Sequence, residues 1–330
     1  MKLVGMRVIS TSVLLLSLAA SARSSLEIVR TAAGCEDFAF DKSHTSTPRL
    51  IVSCDDRRDK KGGGLYTLDL VSHEFRPYPL SGIRIESLHP HGIYLLEDGD
   101  TSWLYVINHQ NKKENSLRKA FTQILVFEVG ATSARFVEDL GTAEGAQAFR
   151  FPNDLFVQPN GDVYLANSFS LGHSLLRYSA KEHRWSKAAG GFLFANGVHV
   201  KNRRLYLHGS VAGKQIVFDV LADGTLANRQ TTARKLGAVD NITENAQGDL
   251  LFSGATTLAG YLRYYLNPSY DPQGFVARDR GGRLERLDLP LRDVISAPSV
   301  AFEYGDRLYL GQVFEDFIAV IKDPVWVEKK

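Results

Sequence analysis

The feature that most constrains the fold is a unit that recurs six times along the chain. Each unit opens on a polar residue, runs through a short apolar stretch, turns, and enters a second apolar stretch. Residues 153–166, 196–208 and 241–253 align in this way, and 36–52, 91–106 and 299–310 follow the same template. The unit starts fall at 36, 91, 153, 196, 241 and 299. Repeats of irregular length near fifty residues suit four-stranded propeller blades with variable loops; helical solenoids have shorter, more regular periods. The sequence therefore predicts an all-β chain, a six-bladed β-propeller with four-stranded blades. A strand around Leu26 to Arg30 is expected to complete the last sheet. A two-sheet sandwich would use the same strands, but it would not require a polar residue at the head of every repeat.

Local signals agree. The apolar runs are rich in Val, Ile, Tyr and Phe, which fit a pleated, half-buried surface. They are bounded by Asn160-Gly161, Asp223-Gly224, Gln247-Gly248 and Gly305-Asp306, where a positive φ is easily reached and a hairpin can close.

Lys and Arg total 39 against 37 Asp and Glu, a net charge of +2. No global basic field recommends nucleic acid as a partner. The run 55–61 mixes both signs and leads into Gly62-Gly63-Gly64, which reads as a solvated loop. Lys2 and Arg7 precede the apolar run 8–20, and Ala20-Ser21-Ala22 offers small residues at a cleavage site, so 1–22 reads as a secretory signal or a retained N-terminal anchor. Residues 23–330 then form the propeller. The apolar run is shorter than the roughly 20 residues a spanning helix needs, and no later segment reaches that length. The expected location is extracytoplasmic, secreted or held at a membrane through the uncleaved segment.

The two cysteines are Cys35 and Cys54. If 38–40 and 50–52 form an antiparallel hairpin with Phe38 opposite Ile51, Cys35 falls opposite Cys54. A disulfide is then geometrically open in an oxidising compartment, the alternative being two independent thiols.

In a propeller the innermost strand of each blade lines the channel, so the first residues of the six units converge at one mouth. These are Glu36-Asp37, His91, Asn153-Asp154, Asn196, Asp240-Asn241 and Ser299. Carboxylates and amide carbonyls are hard oxygen donors, and four acids packed together repel unless a cation is present. Glu36, Asp37, Asp154 and Asp240 carry four negative charges, which two Ca²⁺ ions would neutralise. Magnesium prefers a tight octahedron with several waters, and zinc would want His and Cys clusters that the chain lacks. Asn241-Ile242-Thr243 is a formal glycosylation sequon, but in this register Asn241 faces the channel and is expected to be unmodified. His91 and His109 fall close to the same mouth, where a neutral imidazole beside a metal would activate water without a nucleophilic serine. No G-x-S-x-G or H-E-x-x-H motif occurs.

These residues resemble the paraoxonase/arylesterase family of calcium-dependent lactonases. The similarity is carried by Cys35-Glu36-Asp37, Pro90-His91-Gly92-Ile93 with Val106-Ile107-Asn108-His109, Pro152-Asn153-Asp154, Phe194-Ala195-Asn196-Gly197, Val239-Asp240-Asn241-Ile242 and residues 308–314. The resemblance implies that Glu36, Asn153, Asn196, Asp240 and Asn241 hold a catalytic calcium. By the same matching Asp37, Asp154 and the backbone carbonyl of Ile93 hold a structural one. It implies His91 as general base with His109 tuning it, and hydrolysis of lipophilic lactones and aryl esters. It also implies lipid association through the N-terminus. Three features depart from the family: no cysteine follows Cys54, so its N-to-C-terminal disulfide is missing, and the segments 171–174 and 256–270 differ. His173 and His208 are expected to be surface or packing residues. Two other readings compete: a gluconolactonase-like hydrolase of sugar lactones with one metal, and a non-catalytic propeller that uses calcium as a structural tie.

Overall fold

The computed structural model describes residues 24–59, 61–83, 88–110, 121–288 and 294–328. The segment 1–22, read above as a secretory signal or retained anchor, lies outside the described residues. Six sheets, antiparallel except for the short strand Leu80–Ser81, succeed one another along the chain, each led by an innermost strand: Cys35–Asp41, Pro90–Asp98, Pro152–Val157, Ala195–Lys201, Ala238–Glu244 and Pro298–Tyr304. The fold is a six-bladed β-propeller. Four blades have four strands; the second gains a fifth from Leu80–Ser81 and the fifth gains one from Trp326–Glu328.

The ring closes by pairing chain ends. Strand Ser25–Arg30 lies antiparallel to Phe317–Lys322 and supplies the outer strand of blade six, as expected. Glycines at the anticipated hairpins all take positive φ: Gly161 83°, Gly224 77°, Gly248 79° and Gly305 60°. Blade faces bury apolar residues against their neighbours. Phe38, Leu50 and Val52 of blade one meet Val300, Tyr309 and Ile318 of blade six in a single cluster. Leu155, Val163 and Trp185 of blade three meet Ile107, Ile124 and Val126 of blade two. Burial of this kind, at roughly 25 cal/mol per Å² of apolar surface, is what holds radially arranged sheets together.

Serines tie one blade to the next near the mouth. The hydroxyls of Ser53, Ser168, Ser210 and Ser253 donate to the carbonyls of His91, Ala195, Val239 and Ser299, each in the following blade. Ser299 makes the same link from blade six to blade one by donating to the Glu36 carbonyl. These bonds give carbonyls at the blade boundaries a side-chain partner, which matters because an unpaired buried carbonyl is costly.

Cys35 and Cys54 form a disulfide and stand opposite each other. The expected register is off by one beyond them: Phe38 faces Val52, and Ala39 faces Ile51. The shift lies between Cys35 and Asp37, where Glu36 is the extra residue.

Candidate metal centre

That irregularity recurs in every blade. Register shifts occur at Pro90/Ile93, Pro152/Leu155, Ala195/Val198, Val239/Ile242 and Pro298/Val300 as well as Cys35/Asp37. The residues left out of the ladders are Glu36, His91-Gly92, Asn153-Asp154, Asn196-Gly197, Asp240-Asn241 and Ser299. A bulge bends its strand and re-aims its side chains. Here six bulges turn the polar heads out of the blade plane at one end of the channel.

Two glycines let the heads close in. A Cβ at Gly92 would stand 2.5 Å from the Asn153 carbonyl oxygen, and one at Gly197 would stand 2.5 Å from that of Asp240. Two aromatic residues just before the innermost strands, Phe151 and Phe194, adopt φ of 66° and 54°. Left-handed backbone is unusual for such bulky residues and is retained where neighbouring structure over-determines it.

Several of the predicted residues meet. Asn241 Nδ2 donates to the Glu36 carbonyl at 3.2 Å, and Glu36 Oε1 lies 3.2 Å from His91 Nε2. Asp37 accepts from the backbone N–H of Phe38 and, across the blade boundary, from that of Ile93 at 2.7 Å. Asp154 accepts from Leu155 N–H and from Val198 N–H of the next blade. Ile93 thus touches the centre through its amide. Asn241 is 3% exposed, which leaves no room for a glycan.

Electrostatics define the centre further. Burial pushes Glu36 up to about 8 against the pull of Arg57, with Asp240 and Asp55 pushing the same way as burial. Burial likewise raises Asp154 to about 8 and Asp240 to about 7, and raises Asp37 well above the usual carboxylate range with Asp154 adding to it. Four acids close enough to perturb one another cannot all ionise comfortably without a cation. The Oδ1 atoms of Asn153 and Asn196 are buried and without a hydrogen-bond partner. Unpaired buried oxygens of this kind require an explanation, and an ion is one. Among the described residues no three His, Cys, Asp or Glu side chains converge on their own as a metal-ligand group. The donor set is instead mixed: carboxylates interleaved with amide oxygens, as a hard, flexible cation accepts.

The histidines stand beside these oxygens. The rings of His91 and His109 meet edge-on with centroids 5.1 Å apart, and Phe151 stacks flat on His109 at 4.4 Å. Thr122 Oγ1 lies 3.1 Å from His109 Nδ1. Burial holds His91 well below its ordinary pKa and takes His109 down to about 3, with Arg57 adding to both. Both shifts favour the neutral imidazole. His173 is exposed and His208 is buried within blade four.

Two parts of the centre escaped the sequence reading. The run 55–61 is not simply a solvated loop. Asp55 is buried and pairs with His89 at 3.0 Å, and the Arg57 guanidinium bonds Glu36 and lies 3.2 Å from His91 Nδ1. Arg58 caps the ring of Phe314 at 4.0 Å. The second omission is helix α1, Leu258–Leu266, N-capped by Thr257. It leans Tyr264 onto Phe314, while Tyr261 lies close enough to feel Asp240 and Glu36. The signal was present as Thr257 followed by tyrosines at 261 and 264, one turn apart, but Gly260 weakens it.

The mouth carries an apolar rim. Phe169, Leu171, Leu193, Val211, Leu262, Tyr265 and Leu266 are exposed in connections at this end of the blades. Phe169 bridges Phe151 and Phe194, extending the aromatic lining outward from the histidines.

No protein-family model matches the sequence, and no curated protein is significantly similar to it. Solved structures do match. A gluconolactonase from Xanthomonas campestris superposes with a TM-score of 0.59 at 15% identity, covering 95% of each chain. A provisional gluconolactonase gives 0.62 at 13% identity, covering 94% of this chain and 95% of the other. A chain of a nidogen–laminin complex gives 0.51 at 12% identity over 80% of this chain and 84% of that one. At such identities the likeness is one of fold, and it extends the six-bladed architecture of this chain to proteins of differing roles.

Proposed function

We propose that this chain is a lactone hydrolase that works with a divalent cation, calcium by the chemistry of its donors, at the propeller mouth. The supporting observation is the set of six bulges at one end of the channel, which carry the Glu36, Asp154 and Asp240 carboxylates and two unpartnered amide oxygens, with Asp37 in the ladder beside them. Glu36, Asn153, Asn196, Asp240 and Asn241 would hold the ion nearer solvent; Asp37, Asp154 and the Ile93 carbonyl would hold a deeper, structural one. A bound cation would supply Lewis acidity, polarising the ring carbonyl and stabilising the oxyanion that forms there.

The chain's own residues would do the rest. His91, kept neutral by burial, accepts the proton of the attacking water and returns it to the ring oxygen as the acyl C–O bond breaks, leaving a hydroxy acid. His109 presents its ring edge-on to His91, and Phe151 covers it, keeping bulk water from the pair. The aromatic lining and apolar rim favour lipophilic lactones and aryl esters. A second reading, hydrolysis of sugar lactones with a single metal, is favoured by what the fold neighbours are called. Export to an oxidising compartment fits the Cys35–Cys54 disulfide, and attachment to lipid through the N-terminal segment belongs to the same proposal.

Turnover of long-chain γ- and δ-lactones and of gluconolactone, with and without chelator, tests both readings. Chelation is expected to abolish turnover and lower the melting temperature together, since a ligand that binds only the folded state stabilises it. His91→Gln is expected to lower kcat by about 10²–10⁴-fold with calcium still bound. Turnover that survives complete metal removal defeats the mechanism. Tight calcium binding without any lactone turnover would point to a non-catalytic propeller.

A further inference from the structure

Arg57 stands where no ordinary surface arginine would. Its side chain is 14% exposed. It donates to a carboxylate oxygen of Glu36, faces His91 Nδ1 at 3.2 Å, and reaches the carbonyls of Pro90 at 3.4 Å and Asp55 at 3.5 Å. A guanidinium only donates, so Nδ1 of His91 must be the accepting nitrogen in this contact. One cation therefore occupies an oxygen of a candidate metal ligand and the lone pair of the candidate base at the same time.

We propose that Arg57 is the resident counter-cation of the centre, competing with the divalent ion for Glu36 and masking His91 until that ion displaces it. The inference rests on the metal-dependent reading above. Its physical basis is electrostatic: a divalent ion brought against Glu36 repels the guanidinium already bonded there, so each cation weakens the other's hold on the carboxylate. A buried carboxylate that loses one cation must gain another or protonate. In the metal-free protein Arg57 offsets part of the negative charge of the heads, which lets the blades close before metal arrives. In the loaded protein it is released from Glu36, and His91 Nδ1 becomes available to water. The Cys35–Cys54 disulfide sets the geometry, since it ties the residue before Glu36 to the strand that leads into Arg57.

The test is a calcium titration by calorimetry on chelator-treated full-length protein. Arg57→Gln removes the competitor and is expected to bind calcium at least ten-fold more tightly than wild type, while its metal-free form melts at a lower temperature. Arg57→Lys keeps the charge but cannot bridge both partners, and is expected to fall between. A merely structural arginine would give the opposite sign, weaker binding on replacement. Unchanged or weaker binding by folded Arg57→Gln overturns the proposal while leaving the metal reading standing. Absence of calcium binding in both proteins overturns the metal reading, and this proposal with it. In wild type, where folding is not in question, the Arg57 guanidinium protons should exchange slowly without calcium and faster with it; unchanged exchange likewise overturns the displacement.

Discussion

Gly92 lies against the head of the next blade so closely that an added Cβ would stand 2.5 Å from the Asn153 carbonyl oxygen and 2.9 Å from Asp154 Cα. Both obstacles are backbone, so neither can rotate away. Gly92→Ala is expected to wedge blades two and three apart at the mouth, costing about 1–3 kcal/mol as overpacking does. Calcium affinity should fall with it, because Asn153 and Asp154 sit on the displaced segment. Denaturant titration with and without calcium checks this: a variant as stable and as tightly binding as wild type would mean that the heads tolerate separation.

The disulfide spans 19 residues and staples a hairpin whose second partner precedes Arg57. Closing a loop of that length in the unfolded chain is worth about 3 kcal/mol, less whatever the hairpin already retains when unfolded. The double replacement Cys35→Ala/Cys54→Ala is expected to lower unfolding free energy by about 2–3 kcal/mol. Replacing both cysteines also avoids leaving one reactive thiol. Equilibrium unfolding under non-reducing conditions measures the difference.

The positions that form this candidate centre are largely legible in the sequence. Asn153-Asp154 and Asp240-Asn241 stood at equivalent points of a repeat, and repetition converts an ambiguous turn signal into a positional one. The bulges were not legible. Placing Phe38 opposite Ile51 brought Cys35 to Cys54 correctly, yet Phe38 faces Val52, because the extra residue at Glu36 shifts the register within a single step. A ladder pattern carries no mark of such a step until both strands are seen. Arg57 and helix α1 were missed for a different reason. Each lies in a connection between the second and third strands of its blade. Mixed charge in 55–61 and a Gly-interrupted run in 258–266 describe exposed chain well enough locally; only ring closure brings both segments over the same opening.

Helix α1 supplies a prediction of its own. Thr257 Oγ1 accepts from Gly260 N–H and caps the helix. Thr257→Ala should cost about 1 kcal/mol of local stability. Because α1 carries Tyr261 and Tyr264 over the mouth, the loss should show as a raised KM for lipophilic lactones with little change in kcat. Steady-state kinetics separates the two. A fall in kcat at unchanged KM would place the helix in the chemistry rather than in substrate capture.

His208 predicts a pH dependence that the candidate metal centre does not share. It is fully buried at the end of strand Arg204–Gly209, and burial takes its pKa down to about 3 from an ordinary 6.5. Between those values the unfolded chain binds a proton that the folded protein does not. Stability therefore rises with pH across the window, being complete above about 6.5 and lost progressively as pH falls toward 3. The slope approaches 1.4 kcal/mol per pH unit for one proton. The buried carboxylates of the metal-free mouth act in the opposite sense, since they hold protons in the folded state that the unfolded chain has released. A wild-type profile alone would blend the two. The difference in unfolding free energy between wild type and His208→Gln, followed from pH 7 to pH 4 in saturating calcium, isolates the histidine. That difference should shift steadily against wild type as pH falls; a flat difference would mean that His208 is charged within the fold or stays neutral in the unfolded chain.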